Sequence, residues 1–223
     1  MTDLPERCAR CDKPPAFCVC DRLPELASRT RVLVLQHPRE QDRDLGTVSL
    51  LRAALPASCE VRVGLSWSSF QQCVGDDDAD PKRWVVLYPH SLKKPLAPEL
   101  LKEPVVFLDR EGEVFKGRVD GIVALDGTWS QAKSLWWRNP WMLKLGRALV
   151  HPKEPSIYGK LRKEPRREAV STLEAVADAL VANGEPEATR ADLRRAFRTM
   201  VQRARDALGA QALAAPPEVP DDE

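Results

Sequence analysis

The sequence predicts an α/β fold: a mostly parallel sheet covered by helices, a small cysteine-rich knuckle at the N-terminus, and helices at the C-terminus. Three observations carry this. Short apolar, β-branched runs recur along the middle of the chain, and uninterrupted runs of that kind suit strands buried on both faces. Stretches with apolar residues at helical spacing lie between and after them, an alternation that belongs to layered α/β domains. Four of the six cysteines fall between Cys8 and Cys20, ahead of the first run. A length of 223 residues suits one domain with an appendage. The chain divides accordingly into a cysteine-rich metal-binding segment (1–25), an α/β domain (26–210) and a disordered tail rich in Ala, Pro and acid (211–223).

In chain order, the apolar runs occupy residues 31–36, 61–65, 84–88, 104–108 and 121–125. Between the first two, Val48, Leu51 and Leu55 recur at helical spacing. Pro89, Pro95, Pro98 and Pro104 keep any helix between the third and fourth runs short. A helix is expected from Ser130 to Arg138, with Trp129, Trp136 and Trp137 on one face and at least two of the local tryptophans in the core. Ser171-Thr172-Leu173-Glu174 has the spacing of a capping box ahead of Val176, Ala177 and Leu180. Asn183-Gly184 then stops that helix. A last helix carries the stripe Leu193, Phe197, Met200, Val201, Ala204 and Leu208, with arginines on its other face.

Composition excludes several classes. Hydrophobic residues at 43% and charged residues at 30% argue against wholesale disorder. No apolar run approaches the ~18 residues of a spanning helix, and no apolar segment follows the N-terminal charges. A cytoplasmic chain without a membrane partner is therefore expected. The net charge of +1 hides an asymmetry: Lys133 to Glu168 carries +7 and the remainder −6. A concentrated basic segment suits a polyanion, or else a solvated face.

Cys8, Cys11, Cys18 and Cys20 offer four thiolates within one short segment. Clustered thiols in an intracellular chain point to a metal rather than to disulfides, and zinc favours such a tetrahedral set over an iron–sulfur cluster. Farther on, Asp126-Gly127-Thr128-Trp129 joins the end of an apolar run to the start of a helix. Ligands of open α/β sheets bind at such carboxyl ends. Asp126 is thus a candidate catalytic carboxylate, although Asp126 or Thr128 could equally cap the helix. Tryptophans interleaved with Arg138, Lys144 and Arg147 suit a nucleic acid, through stacking and phosphate contacts.

Asp126-Gly127-Thr128-Trp129 resembles the D-x-T-W signature of the DTW-domain family, the tRNA-uridine aminocarboxypropyltransferases. Four further segments resemble that family in the same order. They are the cysteine knuckle; His37-Pro38-Arg39-Glu40 with Thr47 and Leu50-Leu51; Leu87-Tyr88-Pro89; and Arg162-Lys163-Glu164-Pro165 leading to Ser171-Thr172-Leu173-Glu174-Ala175. Ordered motifs are more specific than any one alone. Two departures stand out: Leu45-Gly46-Thr47-Val48 where family members often have Asn-Thr-Gly, and an acidic loop around Asp77 that looks private to this chain.

The resemblance implies a SPOUT-like fold and transfer of the 3-amino-3-carboxypropyl group of S-adenosylmethionine to N3 of a uridine in tRNA, releasing methylthioadenosine. It implies Asp126 as the base that takes the N3 proton, or as a group that positions the cofactor amine or the uracil. Leu87, Tyr88, Pro89, Asp109, Thr128, Trp129, Ser171 and Thr172 are expected to build the cofactor pocket, with pure capping the alternative for Ser171. Arg138, Lys160, Arg162, Lys163, Arg166 and Arg167 are expected to track tRNA phosphates. Cys8, Cys11, Cys18 and Cys20 would hold a structural zinc, and no obligate protein partner is implied; His37 could be catalytic, but a lone His at a strand end is more often structural. The competing readings are a SPOUT-like RNA methyltransferase and a zinc-stapled RNA-binding module without catalysis.

Overall fold

The computed structural model describes residues 7–88, 96–161 and 170–214. Strands β1 (Arg31–Gln36), β2 (Cys59–Val63), β3 (Trp84–Leu87), β4 (Val105–Leu108), β5 (Gly121–Asp126) and β6 (Gly146–Val150) form one sheet in the order β2-β1-β5-β3-β6-β4. Every neighbouring pair is parallel except β4 with β6. The mixed, mostly parallel α/β architecture expected from the sequence is therefore present. Its helices are α1 (Val48–Ala54), α2 (Phe70–Val74), α3 (Trp129–Arg138), α4 (Thr172–Ala182) and α5 (Glu187–Ala214).

Strand alternation sorts the core into two layers. Val32, Val34, Ile122, Ala124 and Val85 face one cluster, with α1, α4 and α5; Leu33, Leu35, Val123, Val86 and Trp84 face the other, with α2 and α3. Burial of both faces explains why these strands read as continuous apolar runs rather than alternating ones.

Several elements differ from expectation. β2 starts two residues earlier than its apolar run. β6 was not visible, because Gly146 and Arg147 interrupt its apolar character; Gly146 is required there, since a Cβ would stand 2.5 Å from the Leu108 carbonyl oxygen. α2 has five residues, too few for a legible period. Trp136 is buried on α3, whereas Trp137 is 71% exposed, so the expected single tryptophan face does not form. A step of one residue turns the helix about 100°, enough to carry Trp137 off the buried arc. α5 runs on to Ala214, into the stretch expected to fray.

The cysteine knuckle is not a separate body. Cys11, Val19 and Leu23 belong to the core layer of α1, α4 and α5. Arg203 of α5 holds Asp21 through two bonds of 2.9 and 2.8 Å and also donates to the Cys18 carbonyl. Lys13 is buried and donates to the Arg43 carbonyl at 2.9 Å; burial lowers its pKa to about 8. The knuckle thereby braces the loop that follows β1.

At the sheet edge where the parallel strands begin, Asn183 at the end of α4 bridges to Thr30 and Val119. Glu185 accepts bonds from Arg29 N, from Thr30 N and Oγ1, and from Arg118. Among the described residues, no helix is long and apolar enough to cross a membrane.

Candidate active site

The carboxyl ends of β2, β1, β5, β3 and β6 share one edge of the sheet, and Asp126 ends the central strand there. Register pairs Gln36 with Asp126, and His37 N donates to the Asp126 carbonyl at 3.0 Å. Asp126 shares the alternation of Ile122 and Ala124, so its side chain stands on the α4 face. Two donors fix the carboxylate: Thr172 Oγ1 bonds Oδ1 at 2.6 Å, and Gln36 Nε2 bonds Oδ2 at 2.9 Å. Gln36 is only 8% exposed. A carboxylate has about four lone-pair sites, so each oxygen keeps one for an incoming group.

The helices that meet here are held by their own caps, which leaves Asp126 free of that duty. Thr128 caps α3 in a box with Gln131, and Ser171 caps α4 in a box with Glu174. The Ser171 hydroxyl donates to Glu174 Oε2 at 2.8 Å, while buried Glu174 also accepts from Ser156 and from Ile157 N. Ser171 thus sets the start of α4, and Thr172, one residue on, reaches Asp126. Thr47 supports the same helix start, its Oγ1 accepting from Leu173 N at 3.4 Å. Gly127 lets the loop pass close to its surroundings: a Cβ would lie 2.8 Å from Gln131 Cβ and 3.5 Å from His37 Cβ.

The expected pocket residues divide between the two faces. Leu87 packs with the α4-side layer, as Asp126 does. Tyr88 turns to the other layer and stacks on Trp136, with centroids 4.9 Å apart and planes 11° from parallel; burial raises its pKa. Trp129 is 40% exposed at the start of α3.

Asp109 is not brought to this edge. β4 runs antiparallel, so its carboxyl end faces the edge where the parallel strands start. There Asp109 closes a tight turn, exchanging bonds with the backbone of Glu113. Pro89, Arg162, Lys163, Arg166 and Arg167 lie outside the described residues, and of Lys160 only the backbone is described, in a 3-10 turn. Arg138 is exposed at the end of α3. His37 Nδ1 accepts from Arg39 N, a local cap. Sequence reasoning missed Gln36, whose one signal is a polar residue closing an apolar run. Beside Gln36 opens a cavity of about 130 Å³ between Val48, Ser49 and Arg52 on one side and Lys13 and Arg43 on the other.

The thiols of Cys8, Cys11, Cys18 and Cys20 lie within 4.8 Å of one another, with Cys8 to Cys20 at 3.5 Å and Cys11 to Cys18 at 3.7 Å. Tetrahedral zinc with Zn–S near 2.3 Å sets sulfurs about 3.8 Å apart, so the set fits zinc. Backbone N–H groups of Cys11 and Arg10 lower the Cys8 thiol to about 6, while burial raises Cys18 and Cys20.

Residues 5–205 match the DTW domain. The chain is 31% identical over 182 residues to tRNA-uridine aminocarboxypropyltransferase 2 of Macaca fascicularis, an alignment covering 78% of this chain and 55% of that protein. It is 29% identical over 185 residues to the protein of the same name in Drosophila melanogaster, with 81% and 68% covered. It is 26% identical over 187 residues to tRNA-uridine aminocarboxypropyltransferase A of Arabidopsis thaliana, with 78% and 70% covered. The chain spans about half the length of its mammalian relatives. No solved structure matches it.

Proposed function

We propose that this chain, which belongs to the DTW-domain family, transfers the 3-amino-3-carboxypropyl group of S-adenosylmethionine to N3 of a uridine in tRNA. The observation that carries the proposal is the carboxylate of Asp126, held from both sides by Gln36 and Thr172 at the shared carboxyl edge. The names borne by the relatives, all tRNA-uridine aminocarboxypropyltransferases, support the same reaction.

The residues suit such a ligand. Leu87 offers apolar surface for a purine on the face that carries Asp126, and Thr172 and Thr128 offer hydroxyls at two helix starts. S-adenosylmethionine would bring carbons already activated by its sulfonium, so selecting the aminocarboxypropyl arm over the methyl is a matter of positioning. Uridine N3 carries a proton and attacks poorly until it leaves. Asp126 takes that proton on a lone pair left open by its two donors. With S-adenosylmethionine bound, the freed N3 electron pair would form the C–N bond and the C–S bond electrons would leave with methylthioadenosine. Tyr88 supports the strand end through its stack on Trp136. The four cysteines hold zinc in a structural role, since the knuckle braces the loop after β1 and no reacting group need meet the metal.

The test is incubation with unmodified tRNA and S-adenosylmethionine, followed by mass spectrometry of the nucleosides and chromatography of the spent cofactor. A uridine heavier by one aminocarboxypropyl group, with methylthioadenosine, is the expected result. A methylated nucleoside with adenosylhomocysteine would make the protein a methyltransferase. Absence of both product and cofactor binding would leave an RNA-binding module.

A further inference from the structure

Helix α3 starts at the Asp126 loop and carries an unusual outer face. Trp129, Lys133 and Trp137 follow one another at intervals of four residues, so they lie along one stripe. All three are exposed, Trp137 at 71% and Trp129 at 40%. A tryptophan that leaves most of its surface in water forgoes the burial that stabilises most of its kind. Arg138 stands next to it, its Nε on Ser134 Oγ at 3.3 Å. Among the described residues no carboxylate pairs with Lys133 or Arg138. The sequence between Asp126 and Glu154 contains no acidic residue at all, in a chain with 33 of them.

We propose that this stripe is a track for single-stranded RNA flanking the target uridine, with Trp137 as a base-stacking platform and Lys133 as a phosphate contact. The proposal rests on the function above and carries it from Trp129, the last residue of the signature, to Lys133 and Trp137, which lie beyond it. Charge decides the occupant: an apolar protein partner would not need a cation set between the indoles and another beside the second, whereas a nucleic acid strand presents bases and phosphates in alternation. Trp137 lies about 12 Å along the helix axis from Trp129. A single strand crosses that distance in about two to four nucleotides. With Asp126 at the near end, the target base would enter at the helix start and its neighbours would run along α3.

The test measures RNA binding directly, by fluorescence anisotropy of a labelled single-stranded RNA containing one uridine and by competition with unmodified tRNA. Trp137→Ala is expected to raise Kd roughly ten-fold, while Trp137→Phe keeps most of the affinity. Lys133→Ala is expected to reduce the salt dependence of log Kd by about one unit of slope. The thermal midpoint of Trp137→Ala should match the parent, because so exposed a side chain contributes little packing. Unchanged affinity in Trp137→Ala overturns the proposal, as does a parent protein that binds no RNA. Concentration-dependent self-association lost in Trp137→Ala, with RNA binding intact, also overturns it and assigns the stripe to a second copy. Transfer assayed on the same tRNA separates the two proposals. Turnover without dependence of binding on Trp137 removes the track and keeps the enzyme. Stacking without transfer keeps the track and removes the enzyme.

Discussion

Thr172 Oγ1 donates to Asp126 Oδ1 at 2.6 Å, joining the first turn of α4 to the end of the central strand. This bond brings the start of α4 to the proposed base, and the capping boxes at Thr128 and Ser171 set two helix starts at the same edge. A hydrogen bond to a charged group contributes about 1.5–3 kcal/mol. Thr172→Val keeps the shape and removes the donor. It is expected to lower turnover roughly ten- to hundred-fold, with Thr172→Ser retaining most of it. Steady-state transfer rates on tRNA check this. A Val variant as active as the parent would mean that Asp126 needs no orientation from α4.

Gln36 is the second support. Gln36 is itself nearly buried, and Gln36→Leu leaves Oδ2 of the half-buried Asp126 without its donor. The expected outcome is a loss of turnover comparable to that of Thr172→Val. The two losses should combine less than additively, because both act through one carboxylate. A double-mutant cycle on kcat measures the coupling.

Much of this fold is legible because strands buried on both faces declare themselves as apolar runs, and all five runs became strands. What is lost is direction. The antiparallel course of β4 inverts the meaning of its carboxyl end, so Asp109 looks in sequence like a partner of Asp126 and in space closes a turn at the opposite edge. The site shows the same division. Asp126, Thr172 and the capping serine each announce themselves locally. The contact between residues 46 apart in sequence does not, and Gln36 reads as the last residue of a strand. The separation of Trp136 from Trp137 is set by which arc of α3 meets the sheet, a tertiary choice.

Zinc in the knuckle should be integral to the fold. Purified protein is expected to carry one zinc per chain by elemental analysis, and strong chelation should lower the thermal midpoint, since Cys11, Val19 and Leu23 share the main core. Cys11→Ser should reproduce the effect. A metal-free protein with unchanged melting and activity would contradict the structural role.

Glu185 supplies a pH signature. Burial pushes its pKa up, but the hydroxyl and backbone N–H of Thr30, with the backbone N–H of Arg29, outweigh that and hold it below its ordinary value. A depressed carboxyl pKa stabilises the fold above the unfolded-state value, near ~4.3, and that contribution is lost as pH falls through the folded-state pKa. Glu185→Gln should therefore lower the thermal midpoint at pH 7, and the gap should close on acidification below about pH 4. Melting curves of both proteins across that range check the sign.

The most direct measurement compares Asp126→Asn with the parent in single-turnover transfer to unmodified tRNA, alongside calorimetric binding of S-adenosylmethionine. Asparagine keeps the size and loses the ability to accept the N3 proton. Loss of a general base costs about 10²- to 10⁴-fold in rate. A fall of that order, with cofactor affinity retained, is the expected result. Transfer at the parental rate would contradict it and remove Asp126 from the proton's path.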